Sequence, residues 1–324
     1  MPAVAAGARV DRYIAEVAAT VDMSSPLYAL TRARLRVLAK EGAITCRGER
    51  LKPSSRLAAG ETVQIVVPDP QPLNLTPEPM DLCVLYEDAH IIAVAKPAGL
   101  AVHPGAGRAR GTLVHGLLAH CGDLSGIGGK IRPGIVHRLD LGTSGVIVAA
   151  KHDAAHEGLA KQFAARRVGK DYVAVVCGYP SPPSGTIETF FGRHPKDRKR
   201  FTGRLDSGRR AITTFRVEAM AAGLSVVRVR IGTGRTHQIR VHLREYGVPL
   251  VGDPLYGVRS PRVTDAQLRV MVDEFSHQAL HAARLCIAHP IKDTPLVLEA
   301  ALPENLAALV GRIRELAAQS VSLQ

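Results

Sequence analysis

The sequence predicts an α+β protein: a catalytic-size domain built on a mixed, mainly antiparallel sheet, preceded by a small α/β unit. Three observations lead there. β-branched apolar runs outnumber helical patterns, and the two do not alternate as a doubly wound fold requires. At 324 residues the chain exceeds one average domain. Five prolines between 68 and 79, which can hold neither helix nor central strand, divide a short N-terminal segment from the rest.

The first unit is expected over 9–67. Val10, Ile14 and Val17 share a helical face, and a second helix runs from Thr31 to Lys40 with Leu35 and Leu38 inward. Residues 42–51 are extended with a turn at Gly48, and Thr62 to Val67 is a strand by its β-branched residues. The proline-rich stretch 68–82 is an extended linker, and the second domain spans 83–318. It opens with strand, turn and strand over 83–97, followed by a helix from Thr112 to His120 and a glycine-rich loop over 121–134. Asp140 then sits at a turn between two apolar stretches, ahead of a strand-like run from Val146 to Ala150. Small residues at 142–145 allow a tight turn and the approach of a flat ligand. A helix from His152 to Arg167 and strands at 171–176, 213–217 and 224–231 follow. Gln238 to Glu245 is helical or irregular, and Asn305 to Ala318 is a helix with Leu306, Leu309, Ile313 and Leu316 in one stripe. There is no internal repeat.

The net charge of +13 points to a polyanionic partner. The excess is clustered: residues 31–56 and 193–210 each carry eight Lys or Arg against two acids, and 228–244 carry five Arg and no acid. Arginine predominates, which suits phosphate and base-plane contacts. The 193–210 run is expected to be a hairpin loop reaching toward the polyanion. The five Cys have neither the pairing of a zinc site nor that of a disulfide framework, which fits a reducing cytoplasm. Met1 to Ala8 lacks the features of a secretory leader, and no stretch has the apolar length of a membrane span.

Three motifs carry chemistry. His137-Arg138-Leu139-Asp140 precedes Thr143-Ser144-Gly145; Lys170-Asp171-Tyr172 opens a strand; Gly234-Arg235-Thr236-His237-Gln238-Ile239-Arg240-Val241-His242 follows another. Together they resemble the RluA/RluD-type pseudouridine synthases, which isomerise uridine in ribosomal RNA, and the segment 124–137 resembles the large-subunit synthase D branch. Residues 9–66 resemble the small S-four-type RNA-binding domain. Two departures stand out: Leu141 occupies a position usually charged in the family, and the segment from Met23 to Leu30 lengthens the first connection of the small domain.

The resemblance implies isomerisation of uridine to pseudouridine without a cofactor or metal, with Asp140 as catalytic carboxylate, Tyr172 stacking on the detached uracil and Arg235 holding Asp140. Leu139 and Ile239 close the base pocket, and Arg138, Arg34, Arg36, Lys199, Arg200 and Arg240 bind RNA. The implied partner is large-subunit rRNA or a ribosomal precursor particle, met by a cytoplasmic monomer. Asp140 has three routes open: attack at uracil C6, attack at ribose C1′, or removal of the C2′ proton. All need an ionised, well-aimed carboxylate. His237 and His242 lack a third ligand nearby, so hydrogen bonding suits them better than metal binding. Another rRNA site, tRNA, or a non-catalytic ribosome-assembly role remain alternatives. A glycosidase would need a second flanking carboxylate, and the acids on offer, such as Asp253, are distant in sequence.

Overall fold

A computed structural model describes residues 7–18, 32–66, 75–105, 107–121, 134–258 and 261–322. The chain forms two compact units, Met1–Gln71 and Pro72–Gln324. In the first, helices α1 (Val10–Ala18) and α2 (Arg32–Lys40) accompany a three-stranded antiparallel sheet of β1 (Ile44–Cys46), β2 (Glu49–Arg50) and β3 (Val63–Ile65), in the order β2-β1-β3. Its core is Val10, Ile14, Ala18, Leu35, Leu38, Ile44 and Leu57. Ala18 takes the inward place expected for Val17, one position along the same face. The Met23 to Leu30 segment lies outside the described residues, as do Val67, linker residues 68–74 and loop residues 122–133.

The second unit is a ten-stranded sheet. Its strands are β4 (Val84–Glu87), β5 (Ile91–Lys96), β6 (Ser144–Ala150), β7 (Gly169–Cys177), β8 (Ser184–Arg193), β9 (Phe201–Leu205), β10 (Arg209–Ala221), β11 (Leu224–Ile231), β12 (Leu280–Ala288) and β13 (Pro295–Glu299). The order is β4-β5-β6-β12-β7-β11-β10-β8-β9, with β13 also on β12. Every pairing is antiparallel except β6 with β12. This is the mainly antiparallel α+β architecture expected. β6 is buried throughout its length, which explains why it reads as an unbroken run of small and apolar residues. Helices α3 (Leu113–Cys121), α4 (Asp153–Ala164), α5 (Gln238–Glu245), α6 (Ala266–Asp273) and α7 (Glu304–Ser322) complete the unit. Leu306, Leu309 and Ile313 of α7 are buried beside Val173, Val175 and Val226 of the sheet, and Leu316 packs at the margin.

Two expectations need correction. Residues 193–210 are not one hairpin loop: they contain strand β9, and only 194–200 and 206–208 lie between strands. The reason is Glu245, whose carboxylate accepts from Thr202 Oγ1 (2.6 Å) and the Gly203 N–H (3.1 Å), fastening β9 to α5. The charge excess of 228–244 is also smaller than its count along the sequence, since Arg228 and Arg230 are paired with acids from other strands. Arg228 pairs with Glu218 (2.9 Å) and Arg230 makes a bidentate pair with Asp171 (2.6 and 2.9 Å). The acids missing from that stretch come from the neighbouring strands β10 and β7.

Candidate active site

Asp140 lies in the turn that enters β6. The Thr143 N–H donates to the Asp140 carbonyl (3.1 Å), and the Gly99 N–H (2.9 Å) together with Lys96 Nζ (3.2 Å) donate to the Leu141 carbonyl. Lys96 is buried and also donates to the carbonyls of Pro97 and Leu100, both at 2.8 Å. Burial pulls its amine down to about 7, with the Asp140 charge opposing. Three carbonyl acceptors need three N–H groups, and only the ammonium has them. Upstream, His137 Nε2 accepts from the Val148 N–H (3.0 Å) and its ring stacks on Phe163. Burial, reinforced by Lys170, lowers its pKa to about 3, so the ring stays neutral and remains an acceptor. This is the loop-orienting role a lone histidine most often plays.

At Gly142 and Gly145 the smallness serves packing, while Thr143 between them lines the cavity that holds Asp140. A Cβ on Gly145, whose φ is +116°, would fall 2.2 Å from the Ala282 carbonyl oxygen on β12. One on Gly142 would fall 2.6 Å from Gln278 Oε1. Gln278 Nε2 donates to Thr143 Oγ1 (2.9 Å), completing the seam that fixes Asp140 against β12.

The arginine that holds Asp140 is Arg240, not Arg235. Arg240 Nη1 donates to Asp140 Oδ2 (3.1 Å), while its Nε and Nη2 donate to the two oxygens of Asp253 (2.7 and 2.8 Å). Arg240 is buried and the Asp253 side chain is fully so. Burial pushes the Asp253 carboxyl up, but Arg240 and the N–H groups of Tyr256 and Leu255 outweigh it and hold the group below its ordinary range. Burial likewise opposes the Arg240 charge, and the two aspartates overcome it. The expectation that Arg240 binds RNA fails on the same geometry, because the guanidinium is spent between two carboxylates. Arg235 precedes α5 and points elsewhere: its Nε donates to the Arg210 carbonyl (3.3 Å). Asp253 is distant in sequence and adjacent in space, yet its oxygens are committed to Arg240 and two backbone N–H groups, which leaves it no proton to exchange.

The Gln238 side chain sets this geometry. Buried, it donates to the Ile212 carbonyl (2.9 Å) and Thr213 Oγ1 (3.0 Å), and accepts from Thr233 Oγ1 (2.7 Å) and the Arg235 N–H (3.0 Å). His242, four residues on and on the same helical face, lies between Thr213 Oγ1 (2.8 Å) and Thr189 Oγ1 (2.9 Å). His237 starts the helix with φ at +62° and lies 3.0 Å from the Tyr256 hydroxyl. Among the described residues no cluster of three or more His, Cys, Asp or Glu is arranged as a metal site.

Asp140 opens into a cavity of about 500 Å³. Leu139, Tyr172, Ile231, Ile239 and Leu280 form its apolar wall, so the predicted base-pocket residues Leu139 and Ile239 converge on Tyr172 and Asp140. Alternation along β7 turns Lys170 and Tyr172 to the cavity and Asp171 away. Burial, and then the nearby Asp140 charge, push the Tyr172 phenol above its ordinary value. Arg138, Arg166, Lys170 and Arg235 also border the cavity. Burial, then Arg166, lowers Lys170; burial, then Arg209 and Arg166, lowers Arg235. Lys170 stands in the motif that carries Tyr172 but had no role assigned to it, and nothing in the spacing of Arg166 sets it apart from a solvated cation. Lys199 and Arg200 are exposed on the 194–200 loop. In the first unit Arg36 is exposed and 3.5 Å from Asp11; the Arg34 side chain lies outside the described residues.

Residues 90–245 match the family model for RNA pseudouridylate synthase. A Bacillus subtilis protein named as an uncharacterized RNA pseudouridine synthase, YlyB, is 43% identical over 285 residues, covering 88% of this chain and 90% of that one. The chain belongs to the RNA pseudouridylate synthase family. The ribosomal large subunit pseudouridine synthase D of Xanthomonas campestris is 39% identical over 325 residues, covering 100% of the synthase and 94% of its relative. The Human RNA Pseudouridylate Synthase Domain Containing 4 structure superposes with a TM-score of 0.56 at 25% identity, over 71% of the synthase and 92% of that chain. The synthase therefore isomerises uridine in RNA. No helix among its described residues is long and apolar enough to cross a membrane.

Proposed function

We propose that the synthase acts on large-subunit ribosomal RNA with Asp140 as its catalytic carboxylate. The substrate assignment draws support from relatives named for that activity, including those of Xanthomonas campestris and Zymomonas mobilis. The observation that carries the catalytic reading is the Asp140–Arg240–Asp253 chain at the wall of the cavity. Arg240 braces one carboxylate oxygen and leaves the other facing the space where a base fits.

The reaction breaks the bond from ribose C1′ to uracil N1, turns the base, and forms a bond from C1′ to C5. The C5 proton leaves and N1 gains one, so atoms balance without donor or oxidant. Asp140 serves by adding to C6, adding to C1′ or taking the C2′ proton. Tyr172 supplies a flat face that keeps the freed uracil from escaping, with Leu139 and Ile239 opposite. Arg138, Arg166, Lys170 and Arg235 meet the phosphates of the extruded nucleotide. Extrusion costs a few kcal/mol, less in a loop or bulge.

The N-terminal unit, over 9–67, serves as an S-four-type RNA-binding domain, joined by the linker 68–82 to a catalytic domain over 83–318. Arg34, Arg36, Lys199 and Arg200 add backbone contacts. The enzyme works in the cytoplasm as a monomer. Pseudouridine mapping on RNA from cells with and without the gene tests the substrate. The proposal expects a large-subunit rRNA uridine to lose its modification; a loss confined to tRNA or small-subunit rRNA overturns it.

A further inference from the structure

A second cavity of about 500 Å³ lies between β9, the 194–200 loop and the C-terminal end of α5. Arg200, Arg204, Arg244 and His194 line it, together with Phe201 and Tyr256. Arg204 and Arg244 are exposed and enter no ion pair among the described residues. The one acid, Glu245, has both oxygens occupied by Thr202 and Gly203. His194 Nδ1 accepts from the N–H groups of Asp197 (3.1 Å) and Lys196 (3.3 Å), which leaves Nε2–H as the ring's free donor. The loop is closed on itself: the His194 N–H donates to the Arg200 carbonyl (3.0 Å), and Arg193 Nη1 donates to that of Arg198 (2.6 Å). These bonds fix the backbone of the loop, and Arg200 Nε also lies 3.5 Å from Asp197.

Tyr256 links this cavity to the uridine pocket. Its hydroxyl accepts from the Phe201 N–H (2.9 Å) and pairs with His237, while its ring lies 5.1 Å from the Arg240 guanidinium carbon and 5.9 Å from that of Arg200. One aromatic side chain thus separates an open basic pocket from the guanidinium that braces Asp140.

We propose that this second cavity binds a backbone phosphate of the substrate RNA, outside the uridine pocket. Planar guanidinium forks fit phosphate oxygens. The proposal rests on the RNA-isomerase reading above.

The test is binding of a large-subunit rRNA transcript across a salt series, run beside tritium release from uridine C5 of the same RNA. Each lost single-strand or duplex phosphate contact lowers the slope of log affinity against log salt by roughly 0.7–0.9. The Arg204→Ala/Arg244→Ala variant, which leaves that one phosphate without its two free guanidiniums, is expected to lose roughly 0.7–0.9 from that slope and to raise KM, with kcat at saturating RNA within about twofold. Arg204→Glu alone is expected to weaken binding further than Arg204→Ala. The control Lys161→Ala/Arg284→Ala removes the same charge from side chains that line neither cavity. A double variant with the control's slope and KM overturns the proposal while leaving the enzyme reading intact. A wild type that releases no tritium overturns the reading beneath it.

Discussion

Replacing Arg240 by lysine separates its bracing role from mere positive charge. Arg240 makes three charge-assisted hydrogen bonds, two to Asp253 and one to Asp140. Lysine keeps the charge on one compact nitrogen at the end of a shorter reach, so it serves one carboxylate at a time. Losing two of the three bonds, at about 1.5 kcal/mol or more each, costs about 3 kcal/mol. In a unit of this size that lowers Tm by roughly 6–12 °C. The Asp140 contact alone accounts for about 1.5–3 kcal/mol of aim, or roughly a 10- to 150-fold fall in kcat. Thermal melts and tritium release at saturating RNA measure the two effects. Arg235→Lys, whose side chain reaches only the Arg210 carbonyl, is expected to leave Tm in place and to act on KM. If Arg235→Lys abolishes turnover while Arg240→Lys keeps wild-type kcat and Tm, the reasoning is refuted and Arg235 is the partner of Asp140.

Three further outcomes are expected. Gly145→Ala forces a side chain into the Ala282 backbone at a φ of +116° and should cost about 3–5 kcal/mol, visible as a large drop in Tm; unchanged melting contradicts the seam described above. Burial lowers His242 to about 4 from an ordinary value of 6.5, so between those values the unfolded chain binds more protons than the folded one. Its stabilisation is complete above pH 6.5 and is lost as pH falls toward 4; the fall in Tm over that window should be shallower in His242→Gln, and an identical pH dependence would exclude the mechanism. Tyr172→Leu keeps an apolar wall but removes the flat ring, and stacking worth about 1–3 kcal/mol predicts a roughly 5- to 150-fold loss of kcat. Full activity in that variant would assign Tyr172 to core packing alone.

Much of this arrangement was legible in the sequence, and the failures share a cause. Elements with a strong local signal appeared where expected: the β-branched runs of β5, β6, β7 and β11, and the leucine stripe of α7. Strands β8, β9, β12 and β13 mix polar and apolar residues on their exposed positions, among them Phe190 and Val297, so their pattern did not mark them as strands. That Asp140, Tyr172, Leu139 and Ile239 line one cavity was legible because each stands in a compact motif. Arg240 was misassigned because resemblance drew attention to Arg235, although a local clue was present: residues 239, 240 and 243 share one helical face, and Ile239 and Leu243 are buried. A charge on an apolar stripe needs a buried partner. Asp253, set after the apolar stretch from Val248 to Val251, was that partner, but its proximity is created by the fold alone. The same holds for Arg228 and Arg230 of β11, whose partners Glu218 and Asp171 come from the neighbouring strands β10 and β7.

The most direct test of the central claim is tritium release from large-subunit rRNA labelled at uridine C5 and prepared from cells lacking the gene, with wild type and Asp140→Asn side by side. Asparagine keeps the shape and can still accept from Arg240, so Asp140→Asn should melt and bind RNA as wild type does. The account predicts release by wild type and a fall of roughly 10²–10⁴-fold or more in the variant. Equal release by a folded Asp140→Asn protein would contradict it and move the chemistry to another residue.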